Sequence, residues 1–312
     1  MKKSLQNLNL IDNFLYSIAM SHEVHGPRIA GILLKTILGR EVKIRQIITE
    51  KPIFPNDPSR HGIRLDAYIE GGEAEISSGT VREVYDIEPE NKRREKDLLP
   101  MRARFYHSRI DGQILKAMTP YKELPNTWVI FITSFDPFGE NRMVYTIRNC
   151  CEESPGMKYE DGARTLFLYV KGERGNSPKE LQELLRYIGK TTPENACNPD
   201  LKRVQESIDD LKLDTQIKET YMDFEIFLES ERRDAAEEAR EKAEEAAKQR
   251  IEAEMRRADA AERQINEVKQ QADEAKRQIN EVKQQADEAK RQANLRIQEL
   301  ESQLNALLAQ QA

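Results

Sequence analysis

Residues 63–70 read I-R-L-D-A-Y-I-E, and residues 81–91 read V-R-E-V-Y-D-I-E-P-E-N. Both runs alternate, and the glycines at 71, 72 and 79 lie between them, so the spacing predicts two antiparallel strands joined by a long loop. Side chains alternate across a strand. In the first run Ile63, Leu65, Ala67 and Ile69 therefore share one face, and Arg64, Asp66, Tyr68 and Glu70 share the other. In the second run Val81, Glu83, Tyr85, Ile87 and Pro89 oppose Val84, Asp86, Glu88 and Glu90. With Ile63, Leu65, Ile69, Tyr85 and Ile87 turned to the core, Asp66, Glu88 and Glu90 emerge together. Like charges packed on one face repel unless something positive sits among them. Two readings follow: a solvated polar face of a sheet, or a site for a hard divalent cation, since Mg²⁺ takes carboxylates, water and phosphate oxygens.

Outward from this pair, the pattern is of mixed α/β type. Leu8, Ile11, Leu15 and Ile18 form a helical stripe over residues 8–20, and residues 29–38 form a second helix stopped by Gly39. Residues 42–48 read as a first strand, and the proline-rich 51–60 as a loop. Residues 91–97, N-K-R-R-E-K-D, hold Lys92, Arg93, Arg94 and Lys96 beside the acids. They read either as a solvated loop or as phosphate contacts. Pro100 suits the first turn of a helix running to Lys116, on which Arg104, His107 and Asp111 share a face. His107 is either a proton shuttle or phosphate contact, or a polar residue at a helix–sheet border. The run W-V-I-F-I-T-S-F at 128–135 reads as a strand buried on both faces, reached by a helical crossover. Residues 143–147 and 164–170 read as further strands, with Asp136 and Asp161 as turn residues. Residues 178–188 form an amphipathic helix, and 201–228 continue helically.

Several landmarks in order resemble one family. They are G-I-R-L-D-A-Y at 62–68, Y-D-I-E-P-E-N at 85–91, L-P-M-R-A-R-F-Y-H-S at 99–108, W-V-I-F-I-T-S-F-D-P-F-G at 128–139 and D-G-A-R-T-L-F-L-Y at 161–169. Together they resemble the Rpn-type recombination-promoting nuclease/transposase family of bacteria, within the PD-(D/E)XK nuclease superfamily. The resemblance covers about residues 14–189. It implies a restriction-endonuclease-like core with a mixed sheet flanked by helices, and metal-dependent hydrolysis of DNA with Mg²⁺ or Mn²⁺. Asp66 and Glu88 match the metal-binding acids, and Glu23 is the candidate for a first-helix acid. Glu90 falls where the superfamily has Lys and this branch often Gln. There it either binds metal or acts as a base, or it marks a decayed site in a protein that serves as an oligomeric scaffold or regulator. Lys92 offers a displaced cation. Phosphate and DNA contacts are expected from Lys92, Arg93, Arg94, Arg104 and His107.

Composition bounds the rest. The 312 residues carry a net charge of −6 with 33% charged side chains, so DNA contact has to come from local patches rather than from overall charge. Three cysteines, Cys150, Cys151 and Cys197, have neither disulfide nor zinc spacing, which points to a reducing cytoplasm. The basic N-terminus lacks a following apolar stretch, so neither a signal peptide nor a membrane span is expected.

From about residue 230 no Gly, Pro or aromatic residue occurs, and R-Q-I-N-E-V-K-Q-Q-A-D-E-A-K stands twice in tandem, at 263–276 and 277–290. Fourteen residues are two heptads: Ile265, Val268, Ala272 and Ala275 fall at a and d, and Ile279, Val282, Ala286 and Ala289 repeat them. After Ala293 the frame slips to Ile297, Leu300, Leu304 and Leu307, a stutter. A coiled coil joining two copies is expected, against the alternative of a lone helix held by alternating charges. The domains expected are a nuclease-like core over 1–190, a helical extension over 191–230 and a coiled coil over 231–312.

Overall fold

The computed structural model describes residues 3–53, 63–72, 83–115, 117, 118 and 120–310, with side chains up to residue 302. Most of the proline-rich loop, Gly62, Gly79, Val81, Lys116 and the side chains of Leu304 and Leu307 lie outside the described residues. Two compact units divide the chain, Met1–Ile226 and Phe227–Ala312.

The first unit opens with α1 (Asn13–Ser21) and α2 (His25–Leu38). Leu8 and Ile11 precede α1 in extended and turn backbone, where Asp12 accepts the amide of Asn9 at 2.8 Å. Gly39 ends α2 in the left-handed region, φ 69°, and its amide donates to the Lys35 carbonyl, a conformation that costs glycine nothing. Strands β1 (Lys43–Ile53), β2 (Ile63–Gly72) and β3 (Glu83–Glu90) follow as an antiparallel meander. Gly71 and Gly72 belong to β2 rather than to the loop. A Cβ on Gly71 would meet the Lys43 carbonyl oxygen at 3.0 Å, so the close approach of β1 calls for glycine.

Helix α3 (Leu99–Ile114) crosses from β3 to β4 (Asn126–Thr133), which lies parallel to it. Beyond come β5 (Val144–Ile147) and β6 (Ala163–Tyr169), and the sheet order is β1-β2-β3-β4-β6-β5. The continuous apolar run of β4 is central in this sheet and buried on both faces. Helices α4 (Lys179–Gly189) and α5 (Pro199–Leu213) pack with α1 and α2 on one face. Helix α3 covers the other face through Leu99, Ala103, Tyr106 and Ile110. Each large apolar side chain so buried contributes roughly 1.5–3 kcal/mol, which fixes α3 against the sheet.

The segment expected as a helical extension closes the first core instead: Leu201, Val204, Ile208, Leu211 and Tyr221 are buried with α1 and α2. It is two helices. Asp214 leaves helical geometry at ψ 131°, and its carboxylate accepts the amide of Ile217 to start α6 (Thr215–Gln310). The second unit is the remainder of α6. Every side chain from 229 to 302 is exposed, and pairs such as Arg240–Glu244 and Arg257–Glu254 run along its surface. Among the described residues no helix is long and apolar enough to cross a membrane.

Candidate active site

The ladder between β2 and β3 runs from Gly71↔Glu83 to Tyr68↔Asp86 and stops there. Beyond that point the two strands part, and side chains take over the backbone partners. The carboxylate of Glu88 accepts the amide of Asp66 at 2.8 Å. From α1, the hydroxyl of Tyr16 donates to the carbonyl of Ile87 at 3.2 Å. On the other edge of β2, β1 carries Glu50 at φ 50°, between Thr49↔Ala67 and Lys51↔Leu65 and so abreast of Asp66. A non-glycine residue in that region is strained, and such strain gathers at sites the surrounding structure holds in place. The distortion corrects one expectation. Ile63 and Leu65 pack under α3, whereas Ala67 and Ile69 pack under α1 and α2, so the four do not share a face.

Strand β3 keeps its alternation. Tyr85 and Ile87 face α1 and α2, while Val84 faces α3. Asp86, Glu88 and Glu90 follow Val84 by parity, but their face is not solvated. Asp86 is 0% exposed, Glu88 2% and Glu90 6%. Asp66 joins them half-buried from β2.

Burial sets the electrostatics. Desolvation, then the nearby Glu50, raises Asp66 to about 6, with Arg102 working the other way. Desolvation, then the charge of Asp66, raises Glu88 to about 8. No N–H or O–H donor reaches either oxygen of Asp86. Burial and the neighbouring Glu88 hold that acid well above the carboxylate range; as a neutral acid its own O–H can donate to Glu88. Tyr16 is likewise pushed up, by burial and then by Asp66, Asp86 and Glu88.

Among the described residues Arg102 is the cation paired with these acids, and the charge of Arg64 also favours ionised Asp66. Arg102, in the first turns of α3, pairs with Glu90 and reaches Glu88 at 3.4 Å. It also donates to the Tyr106 hydroxyl at 3.2 Å and lies over the rings of Tyr106 and Phe131 at 5.6 and 5.5 Å. Burial works against its charge, but Tyr106 and Glu90 outweigh that and keep it protonated. Two of the four carboxyls, Glu88 and Glu90, thus share the Arg102 guanidinium. Among the described residues no group of three or more His, Cys, Asp or Glu is arranged as a ready metal site. The donor chemistry nevertheless suits a hard cation. All donors are oxygens, neither oxygen of Asp86 accepts from an N–H or O–H, and protons held by burial are the ones a cation would displace.

The other expected residues are elsewhere. The Lys92 amide donates to Glu90 at 2.7 Å, but its side chain is exposed, as are those of Arg93 and Arg94. Arg94 stands 3.8 Å from Glu95. Glu23 is exposed in the turn between α1 and α2, outside either helix, and among the described residues no hydrogen bond or ion pair ties it to the carboxyls. Tyr16 is the first-helix residue that reaches the site. Arg104 and His107 line a separate cleft. His107 Nε2 shares a 2.9 Å hydrogen bond with the Thr165 hydroxyl, and burial lowers its pKa. Asp136 is a turn residue as read, accepting the amides of Phe138, Gly139 and Asn141. The sequence reading missed Asp86, Arg102 and Tyr16 as site residues. Asp86 was on the right face by parity; Arg102 stands four residues before Tyr106 of the buried stripe.

No protein-family model, curated protein or solved structure matches this chain.

Proposed function

We propose that this chain is a metal-dependent DNA endonuclease of the recombination-promoting nuclease/transposase type, with a PD-(D/E)XK core. The observation that carries the reading is the crowding of Asp66, Asp86 and Glu88 where β2 leaves β3, each raised above the ordinary carboxylate range by burial and by neighbouring carboxyls. Carboxyls raised by desolvation and by one another in this way cluster at functional sites. Asp66 and Glu88, with Asp86 behind them, would hold Mg²⁺ or Mn²⁺. When bound, the cation would neutralise phosphate charge and lower the pKa of a water. The protein's own groups do the rest. Glu90 anchors Arg102, and Arg102 is the half-buried cation positioned to meet phosphate charge, the part expected of Lys92. Tyr16 and Glu88 keep β2 and β3 apart, so that Asp66 stays beside the other acids. The reading extends to the tail. Ile265, Val268, Ile279, Val282, Ile297 and Leu300 are each half exposed or more along α6. Two copies would bury them as a coiled coil, and a cytoplasmic homodimer would bring two single-strand cutters together.

The test is cleavage of plasmid DNA with Mg²⁺ or Mn²⁺. Wild type should cut, and Asp66→Asn and Glu88→Gln should not; equal cutting by either variant overturns the assignment. A second reading, a decayed scaffold protein, is favoured by Arg102 itself, which already pairs with Glu90 and reaches Glu88 where a cation would sit. Under that reading the wild type leaves DNA uncut in every cation.

A further inference from the structure

On the α3 side of the sheet, a cleft of about 380 Å³ opens between α3 and the β5–β6 edge. That volume falls within the roughly 300–1,000 Å³ of small-ligand sites. Its floor is aromatic. Phe167 is buried and stacks on Phe131 with ring centroids 5.3 Å apart. Phe138, 41% exposed, meets Phe167 edge to face at 5.0 Å. Two arginines line the cleft, Arg104 from α3 and Arg148 just past β5, and both are exposed. Neither has an ion-pair partner among the described residues, and none of the described lining residues is acidic. His107 adds no charge here: it bonds Thr165, and burial favours its neutral form.

An aromatic floor with two guanidinium groups unpaired among the described residues, and no acidic side chain in the described lining (Asp161 lies behind Asn149 and Ala163), is the chemistry that takes an aromatic ring bearing an anion. We propose that this cleft binds a nucleotide, with its base against Phe138 and Phe167 and its phosphate on Arg104 and Arg148. Resting on the nuclease reading, the nucleotide is one of a DNA strand that flanks the phosphate at the acids. Only β4 separates β3, which carries the acids, from β6, which floors the cleft. Two strand spacings are about 10 Å, or about three nucleotides at the duplex rise of ~3.4 Å.

The test uses the full chain in EDTA, so that no cation is needed, and a fluorescent single-stranded oligothymidylate read by anisotropy. Wild type should bind. Arg104→Ala/Arg148→Ala should weaken binding tenfold or more and flatten the slope of log K against log salt by about 1.4, two phosphate contacts at ~0.7 each. Phe138→Ala should cost about tenfold through lost stacking and leave the slope unchanged. Competition by thymidine monophosphate assigns the cleft to free nucleotides as well, and its failure assigns it to strands alone. Inorganic phosphate, lacking a base, should not compete at the same concentration. The inference is overturned if wild type binds neither probe, if both variants bind as wild type does, or if phosphate competes as well as the nucleotide. Arginine-dependent binding by a chain that cuts DNA in no cation sinks the nuclease reading and keeps the cleft. Arginine-independent binding with intact cleavage does the reverse.

Discussion

Replacing Glu88 by Gln should stabilise the core at neutral pH while it disables the site. The side chain is 2% exposed, and its pKa rises from 4.5 to about 8 on folding. Between these values the folded state holds a proton that the unfolded state has released. Stability therefore falls as pH rises through this window, and the loss is complete above about pH 8. At pH 7 the penalty is two and a half pH units at about 1.4 kcal/mol each, roughly 3 kcal/mol, and above pH 8 it approaches about 5 kcal/mol. Gln keeps the shape and the oxygen that accepts the Asp66 amide, and carries no such penalty. It gives up the long contact to Arg102, 3.4 Å, which costs about 1 kcal/mol. The variant should be less stable than wild type by about 1 kcal/mol near pH 4, equal near pH 5, and more stable by about 2 kcal/mol at pH 7 and about 4 kcal/mol at pH 9. Urea unfolding in EDTA, followed by the single tryptophan, Trp128 in β4, reports on the first unit alone. A variant less stable at every pH by the same amount would refute the reasoning, because Glu88 would then ionise as an ordinary surface acid.

Three further changes probe the frame. Tyr16→Phe removes the donor to the Ile87 carbonyl where β2 and β3 part; the same unfolding assay should show a loss of about 1–3 kcal/mol, the cost of a buried unpaired carbonyl. Glu90→Lys sets an ammonium against Arg102, which now pairs with Glu90. It should destabilise the core by about 3–5 kcal/mol in that assay and lower DNA cleavage, whereas a gain in cleavage would mean that the proposed site lacks only a lysine at this position. In the tail, Leu300→Glu/Leu304→Glu should give monomers by light scattering. Deleting residues 263–276 removes two whole heptads and should leave a dimer; a monomeric wild type contradicts the coiled coil.

Much of this was legible in the sequence, because it depends on local periodicity. The alternation of β3 placed Asp86, Glu88 and Glu90 on one side, the unbroken run of β4 marked a strand covered on both faces, and Gly39 ended α2. The remainder is set by tertiary contacts that spacing does not encode. Leu65 and Ala67 enter different cores on either side of Asp66, where β1 carries the strained Glu50 and the β2–β3 ladder has already ended. A face of three acids reads as solvated until α3 is known to lie over it. Arg102 and Arg104 are two residues apart on one helix, and only packing decides that the first meets the acids and the second the cleft. The α5–α6 break at Asp214 is hidden because apolar positions continue across it, although Asp214-Thr215 is a helix-start signal.

The central claim is that the buried acids form a cation site. Calorimetric titration of the full chain with Mn²⁺ at pH 7, in two buffers of different ionisation enthalpy, tests it most directly. With Glu88 at about 8 and Asp86 also held well above the carboxylate range by burial and by Glu88, binding has to displace the protons these acids hold. The account predicts saturable binding that releases about one proton or more per ion, with both the heat and the proton release lost in Asp66→Asn and Glu88→Gln. Absence of saturable binding, or binding with no proton release that survives both substitutions, would contradict it.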